Sequence, residues 1–260
     1  MIYSEGYFDK NWFAAIKNNE FGVVNIVCFP FGGGGVSSFW AWKNYLIKAN
    51  IFVLKLPGRE TKRFEPLINC SKKLANHIVD ALPLSLKYPL IFYGHSMGAG
   101  LAHLTILELY KRNRLLPSLL IVSGREPPHI PYIYSVNNLN DKELIQHLKK
   151  LGGTPEKALE NSIFMEEYLP RIRGDYTLNS SIPICEPFKL PIFISVINGQ
   201  NDSFIRLNII NEWQFHTVHP LRLVSLPGDH FFINKYYDIF LSKVNENIND
   251  VIDSGSAPKL

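Results

Sequence analysis

Six short apolar runs punctuate the chain: Val23 to Phe29, Ile51 to Leu56, Leu90 to Tyr93, Leu119 to Ser123, Pro191 to Asn198 and Leu221 to Leu226. A strand with one solvated side alternates apolar and polar residues, whereas runs apolar on both faces must be covered from both sides. Helical stretches lie between them, notably Ser71 to Leu84, Met97 to Arg112, Ile205 to Gln214 and Tyr236 to Ile248. That alternation predicts an α/β chain built on a mostly parallel, doubly wound sheet. With 260 residues, 46% of them hydrophobic and 19% charged, the chain can bury a sizeable core.

The same composition excludes several classes. No apolar run approaches the ~18 to 20 residues of a membrane span, and Glu5 and Asp9 stand where a signal peptide needs a basic start and an apolar stretch. A soluble, cytoplasmic protein is expected, acting as a monomer and not on membranes. Cys28, Cys70 and Cys185 are far apart without C-x-x-C spacing, which supports neither a disulfide framework nor a zinc cluster. Lys plus Arg exceeds Asp plus Glu only by 27 − 23 = 4, too small and dispersed an excess for nucleic acid.

One connection breaks the alternation. The stretch between Ser123 and Pro191 is several times the usual length and should carry its own structure. Asn140 with Glu143 has the form of a capping box, Leu144, Ile145, Leu148 and Leu151 line one face, and Gly152-Gly153 forms a stop. A second helix is expected from Thr154-Pro155 to about Leu169. The organisation that follows is one domain over 1–253, with a helical lid insertion at about 126–185 above the carboxyl ends of the strands, and a flexible tail, SGSAPKL, over 254–260.

The sharpest motif is Gly94-His95-Ser96-Met97-Gly98, set between an apolar strand and a helix. A serine in so tight a turn is held in a strained conformation, and glycines flank it because side chains there would strike the neighbouring strand and helix. Ser96 then projects its Oγ at the top of the sheet as a nucleophile. A serine hydroxyl barely ionises at neutral pH, so it needs a base oriented by a carboxylate, in the chain order Ser, Asp or Glu, His. Asp202 follows the strand ending at Asn198, and His230 follows the strand ending at Leu226. Asp229 is the rival carboxylate, but its position next to His230 points it away. His95 is too close to Ser96, His77 and His103 fall in helices, and His216 and His219 precede the strand.

Acyl transfer also needs donors aimed at the oxygen that becomes negative. One is the N–H of Met97. The other is expected from the glycine-rich loop Phe31-Gly32-Gly33-Gly34-Gly35, with Gly32 preferred and Phe31 as the alternative. A phosphate-binding loop is excluded because no Gly-Lys-Ser/Thr follows.

These motifs together resemble the type II thioesterases that accompany nonribosomal peptide and polyketide synthases, and the related medium-chain thioesterase of fatty-acid synthesis. The resemblance runs from about residue 21 to 245 and rests on FPFGGGG, LPGRE at Leu56 to Glu60, YGHSMGAG, SGREPP at Ser123 to Pro128, LNDKELIQHLKKLGGTP, PRIRGDY at Pro170 to Tyr176 and LPGDHFF at Leu226 to Phe232. It implies an α/β-hydrolase fold and a Ser96, Asp202, His230 triad. It also implies an acyl or peptidyl carrier protein as partner, bringing its substrate on a phosphopantetheine arm, with no cofactor and no metal. Gly32 and Gly174 depart from the family, which often has alanine at both places. Phe31, Phe39, Met97, Phe164, Met165, Tyr168 and Tyr176 are candidates for the acyl pocket, Phe31, Met165 and Tyr168 foremost. Arg59 and Glu60 read as a structural ion pair or a substrate contact, and Arg171, Arg173 and Asp175 as a solvated charged face. The rival readings are a carboxylesterase, an acyltransferase, and a catalytically silent binding protein of the same fold.

Overall fold

The computed structural model describes residues 6–18, 20–133, 136 and 138–253; the tail over 254–260 and three positions of the expected lid (134, 135 and 137) lie outside the described residues. Seven strands form one sheet: β1 (Phe13–Lys17), β2 (Val24–Phe29), β3 (Ala49–Leu54), β4 (Leu90–His95), β5 (Leu119–Ser123), β6 (Phe193–Gly199) and β7 (Arg222–Leu226). Their order is β1-β3-β2-β4-β5-β6-β7, with β1 antiparallel to β3 and every other pair parallel. The expected mostly parallel sheet is therefore present. β1 lies outside the six apolar runs: this five-residue edge strand buries only Phe13 and so shows no two-sided apolar pattern.

Residues along the central strands point alternately to two cores. Phe29, Phe92, Leu120 and Val196 pack under α1 (Ser71–Ala81) and α2 (Met97–Lys111). Ile26, Tyr93, Ile121 and Ile197 face the other way, where Trp42 from a 3-10 helix (Val36–Asn44) joins them.

The long connection after β5 holds α3 (Asp141–Leu151), α4 (Glu156–Leu159) and α5 (Ser162–Ser180). α6 (Phe232–Lys235) and α7 (Tyr237–Asp253) follow β7, and α7 covers the second core with Phe240 and Val244. The capping box at α3 forms as expected: Glu143 N–H donates to Asn140 Oδ1 at 3.0 Å, Asn140 N–H to Glu143 Oε2 at 2.8 Å, and Gly152 ends the helix at φ 80°. The second helix differs from expectation. It breaks after four residues, restarts with Asn161 as cap (Phe164 N–H to Asn161 Oδ1, 3.0 Å), and runs through Pro170 instead of stopping before it. Proline costs that helix one backbone bond, but Ile172, Asp175, Leu178 and Asn179 beyond it are all buried, so tertiary packing carries the helix on. The stretch expected as a helix from Ile205 is a 3-10 helix over Leu207–His216.

His103 of α2 is buried against Trp213 and His216 of that 3-10 helix, at ring distances of 5.6 and 5.3 Å. Burial, helped by the neighbouring His216 and Arg125, lowers the pKa of His103 to about 3. Burial and His129 lower that of His216 to about 4. Folding thus depresses both values, so the unfolded chain takes up these protons first; the contribution is complete above about pH 6.5 and is lost as pH falls. Stability is expected to drop between pH 6.5 and 4 by up to about 1.4 kcal/mol per pH unit for each histidine. His103→Leu should flatten that slope in denaturant titrations run across the range, and an unchanged slope would show that His103 is not held neutral.

Candidate active site

The sheet reverses its direction of growth at β2, with β3 on one side and β4 on the other. Ligands of open α/β sheets bind at such a switch point, outside the carboxyl ends of the strands. Phe29 pairs with Gly94, so the glycine loop after β2 and Ser96 after β4 emerge side by side. Ser96 has φ 53° and ψ −117°, a conformation that costs a non-glycine residue about 1–3 kcal/mol. Its surroundings hold it there. The Ser96 N–H donates to the Ser123 carbonyl at 2.9 Å, and its carbonyl accepts from Ala99 at 3.1 Å. A Cβ on Gly94 would collide with Gly98 and Ala99, and one on Gly98 with the Phe29 carbonyl.

The loops after β6 and β7 are stitched together by backbone bonds from Gln200 to Leu226 (2.8 Å) and from Asn201 to Gly228 (2.8 Å). This brings Asp202 and His230, both buried, into contact: His230 Nδ1 lies 2.7 Å from Asp202 Oδ2, while Asp202 Oδ1 accepts the Phe204 N–H at 2.9 Å. Asp229 is exposed, and its carboxylate accepts the Phe231 N–H of its own turn at 3.1 Å. His95, directly before Ser96, bonds Ser123 Oγ through Nδ1 at 2.9 Å; burial, then the nearby His230, holds its pKa well below the ordinary value.

Ser96, His230, Gly32 and Met97 all line one cleft. The Met97 N–H is in the first turn of α2, where helix geometry provides no acceptor and favours negative charge. In the glycine loop the N–H groups of Gly33, Gly34 and Gly35 are taken by Asp175 Oδ2 (2.7 Å), the Phe31 carbonyl (2.9 Å) and Ser38 Oγ (3.2 Å). Gly32 N–H carries no hydrogen bond among the described residues. Phe31, the alternative donor, turns its ring against His95 and Phe231.

Of the expected acyl-pocket residues, Met97 and Tyr176 line the cleft. Phe31, Met165 and Tyr168 do not line the cleft. Met165 is buried within the cluster that joins α3, α4 and α5, and Tyr168 Oη is held by Thr154 Oγ1 at 3.0 Å. Leu148 and Leu151 of α3, Ile172 of α5 and Arg125 line the cleft as well. Helical spacing marks the two leucines as part of one apolar face, but nothing local tells which core they serve. The free space is about 50 Å³, room for a few waters and far below the ~300 Å³ at which ligand pockets begin.

Two charge readings are corrected. Arg59 does not pair with Glu60; it pairs with Asp175, Nη2 to Oδ1 at 2.5 Å, both side chains being 3% exposed. Asp175 is therefore no part of a solvated face. Glu60 instead accepts the N–H groups of Val36 and Ser37 at 2.8 and 2.9 Å. Arg173 fits the solvated reading better, with 32% of its side chain exposed and a bond to Asp141 at 2.7 Å. At the cleft wall Glu126 is gripped by Arg206 at 2.7 and 2.8 Å; burial opposes its charge, but these bonds outweigh it and hold its carboxyl below the usual range. Among the described residues there is no cluster of His, Cys, Asp or Glu suited to a metal ion, and no helix long and apolar enough to cross a membrane.

The sheet, its switch point and the strained serine elbow define an α/β-hydrolase fold. Comparison with known proteins narrows this. The thioesterase domain family matches residues 24–249. The chain is 30% identical over 228 residues to the gramicidin S biosynthesis protein GrsT of Aneurinibacillus migulanus, spanning 86% of this chain and 88% of that protein. It is also 30% identical over 227 residues to the medium-chain S-acyl fatty acid synthase thioesterase of Rattus norvegicus, spanning 85% of each. Among solved structures it resembles the type II thioesterase BorB from the borrelidin biosynthetic cluster, with a TM-score of 0.82 at 26% identity, covering 93% of this chain and 99% of that one. The chain belongs to the thioesterase family, and its class of activity is thioester hydrolysis.

The loop glycines differ in what they tolerate. A Cβ at Gly32 would meet only Asp175 Cβ, at 3.9 Å, whereas at Gly33 (φ 82°) it would lie 2.5 Å from Tyr168 Oη and 2.7 Å from Ile172 Cδ1. Gly33→Ala is expected to cost about 1–3 kcal/mol in urea unfolding, while Gly32→Ala should leave the midpoint in place. Equal behaviour of the two variants would contradict this account of the loop.

Proposed function

We propose that this chain is a type II thioesterase of a nonribosomal peptide or polyketide pathway, hydrolysing acyl or aminoacyl groups from the phosphopantetheine arm of carrier proteins. The observation that carries the catalytic part is the convergence of Ser96, in its strained elbow, and the His230–Asp202 pair on one cleft. The carrier-bound substrate rests on the likeness to GrsT and BorB.

In this reading Ser96 Oγ attacks the thioester carbonyl as its proton passes to His230, whose Nδ1–H is held by Asp202. The carbonyl oxygen becomes an oxyanion facing the Gly32 and Met97 N–H groups. Collapse expels the pantetheine sulfur, which takes the proton from His230, and leaves an acyl ester on Ser96. Water, deprotonated by the same imidazole, attacks that ester, and a second collapse returns the proton to Ser96 and releases the carboxylic acid.

The chain is read as one domain whose lid, expected over about 126–185, has its moving part in α3, α4 and α5 as far as Pro170. Beyond Pro170, α5 is tied to the body through Asp175–Arg59, Arg125–Asn179 (2.7 Å) and the Ser71 N–H to Ser181 Oγ (2.8 Å). The cleft is too small for an acyl-pantetheine arm as it stands, so Leu148 and Leu151 must draw back to admit one.

Ser96→Ala is expected to abolish covalent labelling by a fluorophosphonate, and normal labelling of that variant would overturn the nucleophile. Asp202→Asn should lower hydrolysis of an acyl-loaded carrier by about 10⁴-fold, with Asp229→Asn near wild type; the reverse ranking would shift the role to Asp229. Wild-type enzyme that turns over nitrophenyl esters but not acyl-carrier would be an esterase. For the lid, amides of α3 and α4 should exchange faster than those of α5 after Pro170. Leu151→Trp should also shift chain-length preference, while Met165→Trp, away from the cleft, should not.

A further inference from the structure

Four consecutive glycines, Gly32 to Gly35, have no side chains with which to hold a shape, so the loop's conformation must be imposed from outside. Two side chains grip its middle. Asp175 Oδ2 accepts the Gly33 N–H at 2.7 Å, and Arg59 Nη1 donates to the Gly34 carbonyl at 2.8 Å. The same two side chains are joined by a fork of two bonds, Nη1 to Oδ2 at 2.9 Å and Nη2 to Oδ1 at 2.5 Å. A bidentate pair of this kind fixes direction as well as distance. The Gly32 N–H shares its peptide plane with the Phe31 carbonyl, which accepts the Gly34 N–H at 2.9 Å, so the grip of Asp175 on Gly33 and of Arg59 on Gly34 braces that plane through the turn.

The geometry points to Arg59 and Asp175 as positioning residues that hold the Gly32 N–H toward the oxyanion and make the second half of α5 part of the catalytic scaffold. This rests on Gly32 acting as an oxyanion donor, as proposed above. Stability alone is a poor reason for the pair, since burying an arginine and a carboxylate is often no better than burying apolar residues of similar size. Two features argue for the catalytic role. Asp175 itself lines the cleft beside Gly32, where an unneutralised carboxylate would repel the developing negative charge; Arg59 cancels it. And leucines could fill the same space but would supply neither the acceptor for Gly33 nor the donor for Gly34.

The double substitution Arg59→Leu with Asp175→Leu separates the two roles. The folded double variant is expected to unfold within a few degrees of wild type, as apolar replacement of a buried pair allows. Its kcat should nonetheless fall by about 10- to 100-fold, part of the loss seen when an oxyanion donor is deleted. KM should move less than about twofold, as for an interaction made only in the transition state. Affinity for an alkyl trifluoromethyl ketone, which forms a tetrahedral adduct with the serine, should fall by the same factor as kcat. Singly, Asp175→Asn keeps an oxygen acceptor for Gly33 and should retain most of the ketone affinity, whereas Asp175→Ala should not. A folded double variant with wild-type kcat and ketone affinity would overturn the assignment. So would equal ketone affinity in Asp175→Asn and Asp175→Ala, a comparison that decides the matter even if the double variant does not fold. The ketone needs the nucleophile and its oxyanion donors but no carrier protein, so a wild-type enzyme inactive on carrier thioesters would sink the carrier reading and leave this measurement decisive.

Discussion

The pairing of β2 with β4, Phe29 opposite Gly94, is the constraint on which the rest of the site depends. It ends two parallel strands at one level on either side of the sheet's switch point, so that the glycine loop and the serine turn leave the sheet as neighbours. The contact is close enough that Gly98 sits directly on the Phe29 carbonyl, with no space for a methyl group. Loop and elbow are in that sense one unit, and a shift in either would carry the other with it. The strain at Ser96 persists for the same reason: the tight contacts around Gly94 and Gly98 and the bond to the Ser123 carbonyl leave the backbone no alternative.

Around that unit the cleft keeps its charges in pairs. Asp202 meets His230, Asp175 meets Arg59, and Glu126 meets Arg206. In the proposed mechanism an unpaired carboxylate in so small a space would oppose the developing oxyanion. Arg125 is the cleft's remaining cation, bound to the neutral Asn179 and pulled below its ordinary pKa by burial.

How far the sequence could be read depends on the range of each interaction. The serine elbow, the capping box at Asn140 and the stop at Gly152 came through because each is settled within a few residues by backbone sterics and local hydrogen bonds. Chain order favours Asp202 over Asp229 as the partner of His230; in the fold Asp202 meets His230, and the Asp229 carboxylate accepts from its own turn. The helix through Pro170 was missed because a local rule, that proline ends helices, was overridden by burial of the residues beyond it. Arg59 was matched with its neighbour Glu60, although its partner is 116 residues away. Met165 and Tyr168 had the right composition for an acyl pocket, but their helix turns them into the packing between α3, α4 and α5.

By itself the sequence determined the alternation of buried strands and helices, the strained turn at Ser96, and the chain order of Ser96, Asp202 and His230, because each is written in local periodicity, in the steric demands of a few consecutive residues or in the order of the strands. Only the tertiary structure decided which acidic side chain neutralises Arg59, which apolar residues face the cleft rather than a core, and which glycine N–H is left free. Those outcomes depend on which surfaces meet when distant segments pack, and a side chain's partner across the fold leaves no periodic trace in its own neighbourhood.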